Sequence, residues 1–235
     1  MKRPASAMAE PLKLYYFPVM AKGLGPALVC ELSGLSWLGP KDLGFTRDDW
    51  PKLKESGKCA FGQLPLLEVG STCISQSIAI VNYIGKLAGT EGATAEDFAM
   101  SQTLLAEGED LYAAMQKFQP TRSVKLGEYG RDGITLKGNA TANAKFWEEW
   151  VPDQLQKLEA LLKGKNQFTA KGETVGELYL WAMLHQMKLC KSELFSATPK
   201  LGEFYARIAG LAGVKKVVSG ASTYGEWEQY FVNPE

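Results

Sequence analysis

The chain has 235 residues, with 26 lysines plus arginines against 26 aspartates plus glutamates, and so carries no formal net charge. That balance gives no electrostatic basis for binding nucleic acid or an anionic membrane surface. The hydrophobic fraction of 46% is typical of a globular protein, and the length allows one large domain or two smaller ones.

The cysteines are widely spaced, at Cys30, Cys59, Cys73 and Cys190, and the chain has one histidine, His185. No C-x-x-C pair occurs and one histidine cannot complete a Cys/His zinc set, so the sequence predicts no metal site. Free thiols are typical of a reducing compartment, which predicts a cytoplasmic protein. The N-terminal residues lack the apolar stretch of a secretory signal and are interpreted as a tail.

The first part of the chain alternates strand and helix patterns. Lys13–Phe17 predicts a short β-strand, and Gly25–Ser33 predicts a helix that ends before a glycine. Leu35–Leu38 gives a weak second strand signal. Asp42–Lys58 is polar, and we predict that it is irregular.

The stretch that follows has three devices in a row. Leu64-Pro65 opens an apolar strand, Leu66–Val69, in which the proline must lie at the start or at an edge. A turn follows, and Ser75-Gln76-Ser77 then opens an apolar-periodic helix that runs to about Leu87. A helix start of this kind offers hydroxyls and free backbone N–H groups to an anion. The order βαβ and then ββα predicts a layered α/β unit.

The second part of the chain is predicted to be helical. Ala88–Thr94 is rich in small and polar residues and is interpreted as a linker between domains at 12–88 and 95–235. Ala99–Phe118 is periodic and helical. Residues 119–141 contain four glycines and a proline, and are predicted to be partly loop.

Four further helices are predicted downstream. Ala142–Lys163 is amphipathic, and Pro152 either kinks it or opens its second part. Thr174–Glu177 forms a capping box before an apolar run that predicts a helix buried nearly all round. Pro199 starts another helix, and Val214–Ser219 forms a short last one.

Two separated segments carry a resemblance. Phe61–Pro65 followed by Gln76–Ile80 resembles the glutathione-binding signature of cytosolic glutathione S-transferases. The Thr174–Glu177 box resembles the family's N-capping box, although the family usually has Asp where this chain has Glu177. The resemblance implies a thioredoxin-like α/β N-terminal domain, an all-α C-terminal domain, a homodimer and glutathione as co-substrate.

The resemblance also implies a hydroxyl at the end of the first strand that stabilises the glutathione thiolate. A free thiol has a pKa of about 8.5 and is mostly protonated at neutral pH. Tyr15 and Tyr16 are the candidates, and strand alternation lets one of them reach the site. The family's Tyr-Phe ending selects Tyr16 as catalytic and leaves Tyr15 to pack against a helix on the other face.

Between Pro18 and Leu28 there is no Ser or Cys, which favours the tyrosine-type classes (sigma-, alpha-, mu- or pi-like), with sigma-like favoured. One departure follows Tyr16 directly. The family's Arg-Gly-Arg-like run is absent, and Lys22 is the cation that remains. A lysine has fewer donors and no fork, so weaker thiol activation is an open alternative.

Further roles follow from the resemblance. Trp50 and Lys54 would hold the glycine carboxylate, Leu64 would pair through its backbone with the cysteinyl amide, and Gln76 with Ser77 would bind the γ-glutamyl carboxylate. An acid of the partner subunit, with Asp110 preferred to Glu107, would meet the γ-glutamyl amine. The complete predicted binding set is Trp50, Lys54, Gln63, Leu64, Pro65, Gln76, Ser77 and Asp110.

Two other features have a plainer interpretation. His185 could serve as a base, but a single histidine in an apolar helix is more often a core residue. A group of apolar and aromatic residues either walls a pocket for a second substrate or belongs to the core. Its members are Tyr112, Met115, Trp227, Tyr230 and Phe231.

The predicted function is conjugation of the glutathione thiolate to small apolar electrophiles, as in detoxification. The alternatives are a glutathione-dependent isomerase or peroxidase resembling prostaglandin D synthase, and a non-catalytic binding or structural protein of the same fold. The missing arginine run favours a non-catalytic role, whereas Tyr16, Trp50, Gln76 and Ser77 favour an enzyme.

Overall fold

The computed structural model describes residues 10–119, 121–122, 134–135, 144–162 and 166–232. Its N-terminal part is built on a four-stranded sheet in the order β2-β1-β3-β4. Strand β1 pairs in parallel with β2, whereas β1 with β3 and β3 with β4 are antiparallel. The strands are β1 (Leu12–Tyr15), β2 (Trp37–Leu38), β3 (Leu66–Val69) and β4 (Thr72–Ser75).

Two helices pack on this sheet, α1 (Leu24–Leu32) and α4 (Ser77–Ala88). The predicted βαβ and ββα order is confirmed. The prediction of an irregular segment at 42–58 is wrong. The short helix α2 (Pro40–Leu43) overlaps its start, and the short helix α3 (Trp50–Glu55) lies within it. Each has a proline in its first turn, where the missing N–H costs nothing.

The second part of the chain is mainly helical. Its helices are α5 (Ala95–Phe118), α6 (Val151–Leu161), α7 (Val175–Cys190), α8 (Pro199–Gly210) and α9 (Ala212–Val218). A two-residue antiparallel pair, Thr121–Arg122 with Ile134–Thr135, departs from the all-α prediction, and the rest of 123–141 lies outside the described residues.

The amphipathic segment predicted at 142–163 is divided in two where it is described. A π-helix at Phe146–Trp150 precedes α6, and Pro152 lies in the first turn of α6. The proline therefore opens the second part. Residues 142, 143 and 163 lie outside the described residues.

Helix α7 forms the centre of the helical part and is buried along nearly its whole length. Its capping box is present: Thr174 Oγ1 accepts from the N–H of Glu177, and Glu177 accepts from the N–H of Thr174. The fully buried Glu177 carboxylate also accepts from the hydroxyl and N–H of Thr169 and the N–H of Phe168. This network ties the preceding loop to the start of the core helix.

The C-terminal segment returns to the N-terminal part. The Met20 N–H donates to the Glu228 carbonyl at 3.0 Å, and the Glu228 N–H donates to the Pro18 carbonyl at 2.9 Å. The Tyr224 hydroxyl donates to the Phe17 carbonyl at 2.8 Å. Among the described residues, no helix is both long and apolar enough to cross a membrane.

Candidate functional site

A cavity of about 470 Å³ opens where the end of β1, the entry to β3 and the N-terminus of α4 meet α5. Seven of the predicted site residues line it, namely Tyr16, Trp50, Gln63, Leu64, Pro65, Gln76 and Ser77. Other lining residues are Phe17, Lys22, Phe61, Gly62, Ser75 and Tyr112. The structure thus brings together residues that are up to 96 positions apart in sequence (112 − 16).

Tyr16 lies one residue beyond the end of β1, and its side chain is 8% exposed. Its hydroxyl oxygen accepts a hydrogen bond from the backbone N–H of Lys22 at 3.2 Å. Burial raises the pKa of Tyr16, and the Lys22 N–H acts in the opposite direction. The hydroxyl therefore keeps its proton and has it available for an acceptor in the cavity.

Tyr15 occupies the other face of the sheet, as predicted, but its neighbour there is the ring of Phe45 just beyond α2. The two ring centroids lie 5.4 Å apart in an edge-on arrangement. Burial, followed by the Glu68 carboxylate, raises the pKa of Tyr15.

Lys22 joins the cavity to the helical part of the chain. Its ammonium forms an ion pair with Glu109 on α5 and lies 4.9 Å from the centroid of the Tyr112 ring. The Glu109 carboxylate also accepts from the hydroxyl of Tyr179 on α7. Burial, with the Glu109 charge second, raises the pKa of Tyr179 and keeps that hydroxyl a donor.

The N-terminus of α4 faces the cavity. Gln76 precedes the helix with a backbone φ of 76°, which is uncommon for residues other than glycine. The Ser77 hydroxyl oxygen lies 3.1 Å from the Tyr179 hydroxyl and 3.5 Å from the Glu109 carboxylate, so it already has partners within the chain. The Ser77 backbone N–H, as the first of α4, has no intrahelical acceptor. The buried Ser75 hydroxyl has no partner among the described residues.

The opposite end of the cavity is formed by α3 and the loop before β3. The Trp50 ring packs edge-on against Phe17 with centroids 5.9 Å apart. Lys54 is exposed one turn later and does not line the cavity, but its Cε would lie 3.2 Å from a Cβ placed on Gly62. Gly62 also has φ of 59°, so the loop needs glycine there. The Leu64-Pro65 peptide bond is cis.

The acids of α5 lie in different surroundings. Asp110 is exposed and away from the cavity of its own chain, and Glu107 is partly buried. Burial, with Asp110 second, raises the pKa of Glu107. Glu109 is the acid that contacts Lys22 and Ser77, and sequence reasoning missed it. The signal was the acidic group at 107–110, which does not by itself say which member faces the sheet.

The predicted second-substrate wall is divided between cavity and core. Tyr112 lines the cavity, and Gln116 donates to the hydroxyls of Tyr112 at 2.9 Å and Tyr230 at 2.8 Å. Met115 and Phe231 are each 1% exposed and belong to the core. Trp227 packs against Tyr224, with ring centroids 4.4 Å apart.

His185 lies in the core, outside the cavity. Its Nδ1 is 2.8 Å from the Tyr205 hydroxyl, and its ring stacks on Trp181 with centroids 4.7 Å apart. Burial lowers the pKa of His185 to about 4, with Lys188 as a secondary cause. This supports the interpretation of His185 as a core residue.

We expect His185 to make the fold sensitive to acid. Its folded pKa is below the unfolded value of about 6.5, so its contribution to stability is complete above that value and is lost as the pH falls towards 4. The loss is about 3 kcal/mol when complete. Denaturant unfolding at pH 7 and pH 4.5 measures it, and the His185→Phe variant should show a smaller difference between the two pH values. An equal difference in both proteins would contradict the assignment.

Among the described residues, no group of three or more His, Cys, Asp or Glu side chains is arranged to hold a metal ion. Among the described residues no disulfide is formed; Cys73 is exposed, and Cys30, Cys59 and Cys190 are buried.

The sheet order and the helices that follow define a thioredoxin-like α/β unit joined to a mainly helical one. A family model for the glutathione S-transferase N-terminal domain matches residues 11–86, and one for the glutathione S-transferase C-terminal domain matches residues 135–219. The chain therefore belongs to the glutathione S-transferase family.

Individual relatives extend over most of the chain. Glutathione S-transferase 1 of Ascaris suum is 28% identical over 213 residues, which cover 88% of this chain and 95% of that protein. Hematopoietic prostaglandin D synthase of Gallus gallus is 26% identical over 200 residues, covering 85% and 87%. The crystal structure of the glutathione S-transferase from Ascaris lumbricoides has a TM-score of 0.67 at 25% identity and covers 89% of this chain and 97% of that one.

Proposed function

We propose that the protein binds glutathione in this cavity and transfers its thiolate to small electrophiles. The observation that carries the proposal is the Tyr16 hydroxyl, which lines the cavity and accepts from the Lys22 N–H, so that its own proton is left for a ligand there. A thiolate there would gain a hydrogen bond to a charged acceptor, which stabilises it by about 1.5–3 kcal/mol.

The rest of the cavity suits the other groups of glutathione. The first N–H groups of α4, with Gln76 beside them, would receive the γ-glutamyl carboxylate. Trp50, with Lys54 at the rim, would receive the glycine carboxylate through an indole N–H and an ammonium. Gln63 and the Leu64 backbone would pair with the peptide in between. These assignments use the backbone of Ser77 more than its hydroxyl, which Tyr179 and Glu109 already engage.

We also propose a homodimer in which Asp110 of one protomer meets the γ-glutamyl amine bound to the other. Asp110 is exposed in the single chain, as this role requires. Phe61, beside the cavity, is 67% exposed, and an aromatic side chain in this position is consistent with burial by a partner. Four cysteines that form no disulfide are consistent with a reducing compartment and support a cytoplasmic location.

Glutathione-dependent isomerisation is the second candidate. It is supported by the similarity to a relative named hematopoietic prostaglandin D synthase. The hydroxyl of Tyr112, held by Gln116, and the ammonium of Lys22 also give the cavity polar groups suited to an oxygen-bearing substrate.

The experiment has three arms: retention on immobilised glutathione, thiolate absorbance on mixing with free glutathione near neutral pH, and turnover of a chlorinated nitrobenzene. We expect retention, an absorbance rise and conjugation, with the eluted protein having the molar mass of a dimer. Prostaglandin D formation without conjugation would favour the isomerase. Retention without an absorbance rise or turnover would leave only the binding role.

A further inference from the structure

The turn between β1 and α1 holds a strained residue. Ala21 has φ of 29°, in the left-handed region that favours glycine, and its side chain is buried. An alanine in this region persists when the surrounding contacts compensate for the strain. The next residue, Lys22, is the one whose N–H donates to the Tyr16 hydroxyl. The strain therefore lies directly beside the contact that orients the candidate catalytic group.

One side chain of the helical part contacts this strained residue. Gln186, on the core helix α7, is 1% exposed and donates from Nε2 to the Ala21 carbonyl at 3.0 Å. Its Nε2 also lies 3.3 Å from the Ala182 carbonyl. Its Oε1 is buried and has no partner among the described residues.

The orientation of the Gln186 amide follows from these neighbours. Exchanging oxygen and nitrogen would place Oε1 against two carbonyl oxygens, so the donor must face Ala21. A buried amide oxygen without a partner is costly. The Gln186 amide forms one hydrogen bond within its own helix, to Ala182, and one to the strained turn, at Ala21. The second of these offsets the cost of the unpartnered oxygen.

We propose that Gln186 is a positioning residue for Tyr16. By holding the Ala21 carbonyl, it keeps the turn in the conformation from which the Lys22 N–H reaches the Tyr16 hydroxyl. This inference rests on the proposed function, because the consequence of that contact is thiol activation. A hydroxyl that accepts a hydrogen bond becomes a stronger donor, so the loss of the Lys22 contact would weaken the bond from Tyr16 to the thiolate.

Other groups around Tyr16 define what the test must hold constant. Lys22 lies on the same turn and is paired with Glu109 on α5. Four tyrosines face Tyr16 from α5, α7 and the C-terminal segment, namely Tyr112, Tyr179, Tyr224 and Tyr230. The substitutions below change none of these groups.

The test compares Gln186→Met, Ala21→Gly and the double variant. Methionine has a similar volume, removes the donor and also removes the unpartnered oxygen, so Gln186→Met should fold. Glycine adopts a positive φ readily, so Ala21→Gly should allow the turn to form without the tether. His185→Phe, the neighbouring change on α7, serves as the control for perturbation of the core.

We expect Gln186→Met to raise the pKa of bound glutathione by about one unit, with about tenfold less thiolate below that pKa and an unchanged KM for glutathione. The double variant should recover to within about threefold of Ala21→Gly. Hydrogen exchange at the Lys22 amide should become about tenfold faster in Gln186→Met and recover in the double variant. His185→Phe should leave both readouts unchanged.

Two results would overturn the proposal: unchanged Lys22 exchange in Gln186→Met, or a defect that Ala21→Gly does not relieve. The exchange measurement needs no glutathione, so it judges the role of Gln186 even if the wild-type protein fails to ionise the thiol. Absence of thiolate in the wild-type protein would instead count against the proposed function.

Discussion

Tyr16→Phe is expected to lower kcat/KM for conjugation by about 10- to 100-fold, the loss of one hydrogen bond to a charged acceptor. The KM for glutathione should change little, because the groups proposed to bind its two carboxylates lie elsewhere in the cavity. The pKa of bound glutathione should rise towards about 8.5, the free value. The loss of kcat/KM in the variant should therefore be largest near pH 6.5 and should shrink as the pH rises past about 8.5.

The matched control is Tyr15→Phe, which removes a hydroxyl of the same kind from the opposite face of the sheet. It should leave the pH profile of conjugation unchanged. Equal losses in both variants would mean that damage to the strand, not thiolate stabilisation, explains the effect. Turnover that survives Tyr16→Phe at every pH would assign activation to another group.

That Tyr16 and not Tyr15 lines the cavity could be predicted from the sequence, because neighbouring strand residues face opposite sides and the downstream signature is specific. The hydrogen-bond donor to the Tyr16 hydroxyl could not be predicted from the sequence. Strand β1 ends at Tyr15, and the hydroxyl of Tyr16 is oriented by a backbone N–H six residues later. Every residue except proline has a backbone N–H, so the residue type does not show which N–H donates.

Contacts between the two parts of the chain were also beyond sequence reasoning. Nothing in the sequence indicated that Glu109, about 100° round α5 from Asp110, would pair with Lys22 of the same chain. Which acid faces the sheet depends on how α5 packs, and its burial pattern does not follow from an acidic group alone. Gln186 was hidden in the same way, as one polar residue in an apolar run.

The short helices within 42–58 were missed for a different reason. A helix such as Pro40–Leu43 or Trp50–Glu55 has too few turns to show a hydrophobic period. The usable signal was local: Thr46 and Asp49 form a capping box, and a proline follows in the first turn of α3. Helix α3 begins at Trp50 and places that residue at the cavity.

The missing arginine run is not evidence for a weak catalyst, because the contact with Tyr16 does not use the side chain of the residue at that position. The contact to Tyr16 comes from the backbone of Lys22, and any residue other than proline at that position provides it. The lysine side chain pairs with Glu109 instead and ties the turn to α5. In the proposed mechanism, thiol activation depends on the shape of the turn, which residues on both sides of Lys22 determine.

Gly23→Ala tests that dependence most severely. A Cβ on Gly23 would lie 2.3 Å from Cδ1 of Tyr16 and 2.4 Å from the hydroxyl oxygen of Tyr224. The backbone itself accepts alanine, since φ is −82°, so the clash is the direct cost. We expect a loss of about 3 kcal/mol in the free energy of unfolding, as for overpacked cores. We also expect kcat/KM to fall at least as far as in Tyr16→Phe, because the ring must move.

Two variants separate displacement of Tyr16 from general overpacking. Gly210→Ala, at a position where a Cβ meets nothing within 4 Å, should leave activity unchanged and stability equal or up to about 1 kcal/mol higher. Adding Tyr224→Phe to Gly23→Ala removes the hydroxyl clash but not the contact with the Tyr16 ring. Denaturant unfolding should therefore show partial recovery of stability while conjugation stays low. Recovery of both together would mean that Tyr224, not Tyr16, sets the space at the turn.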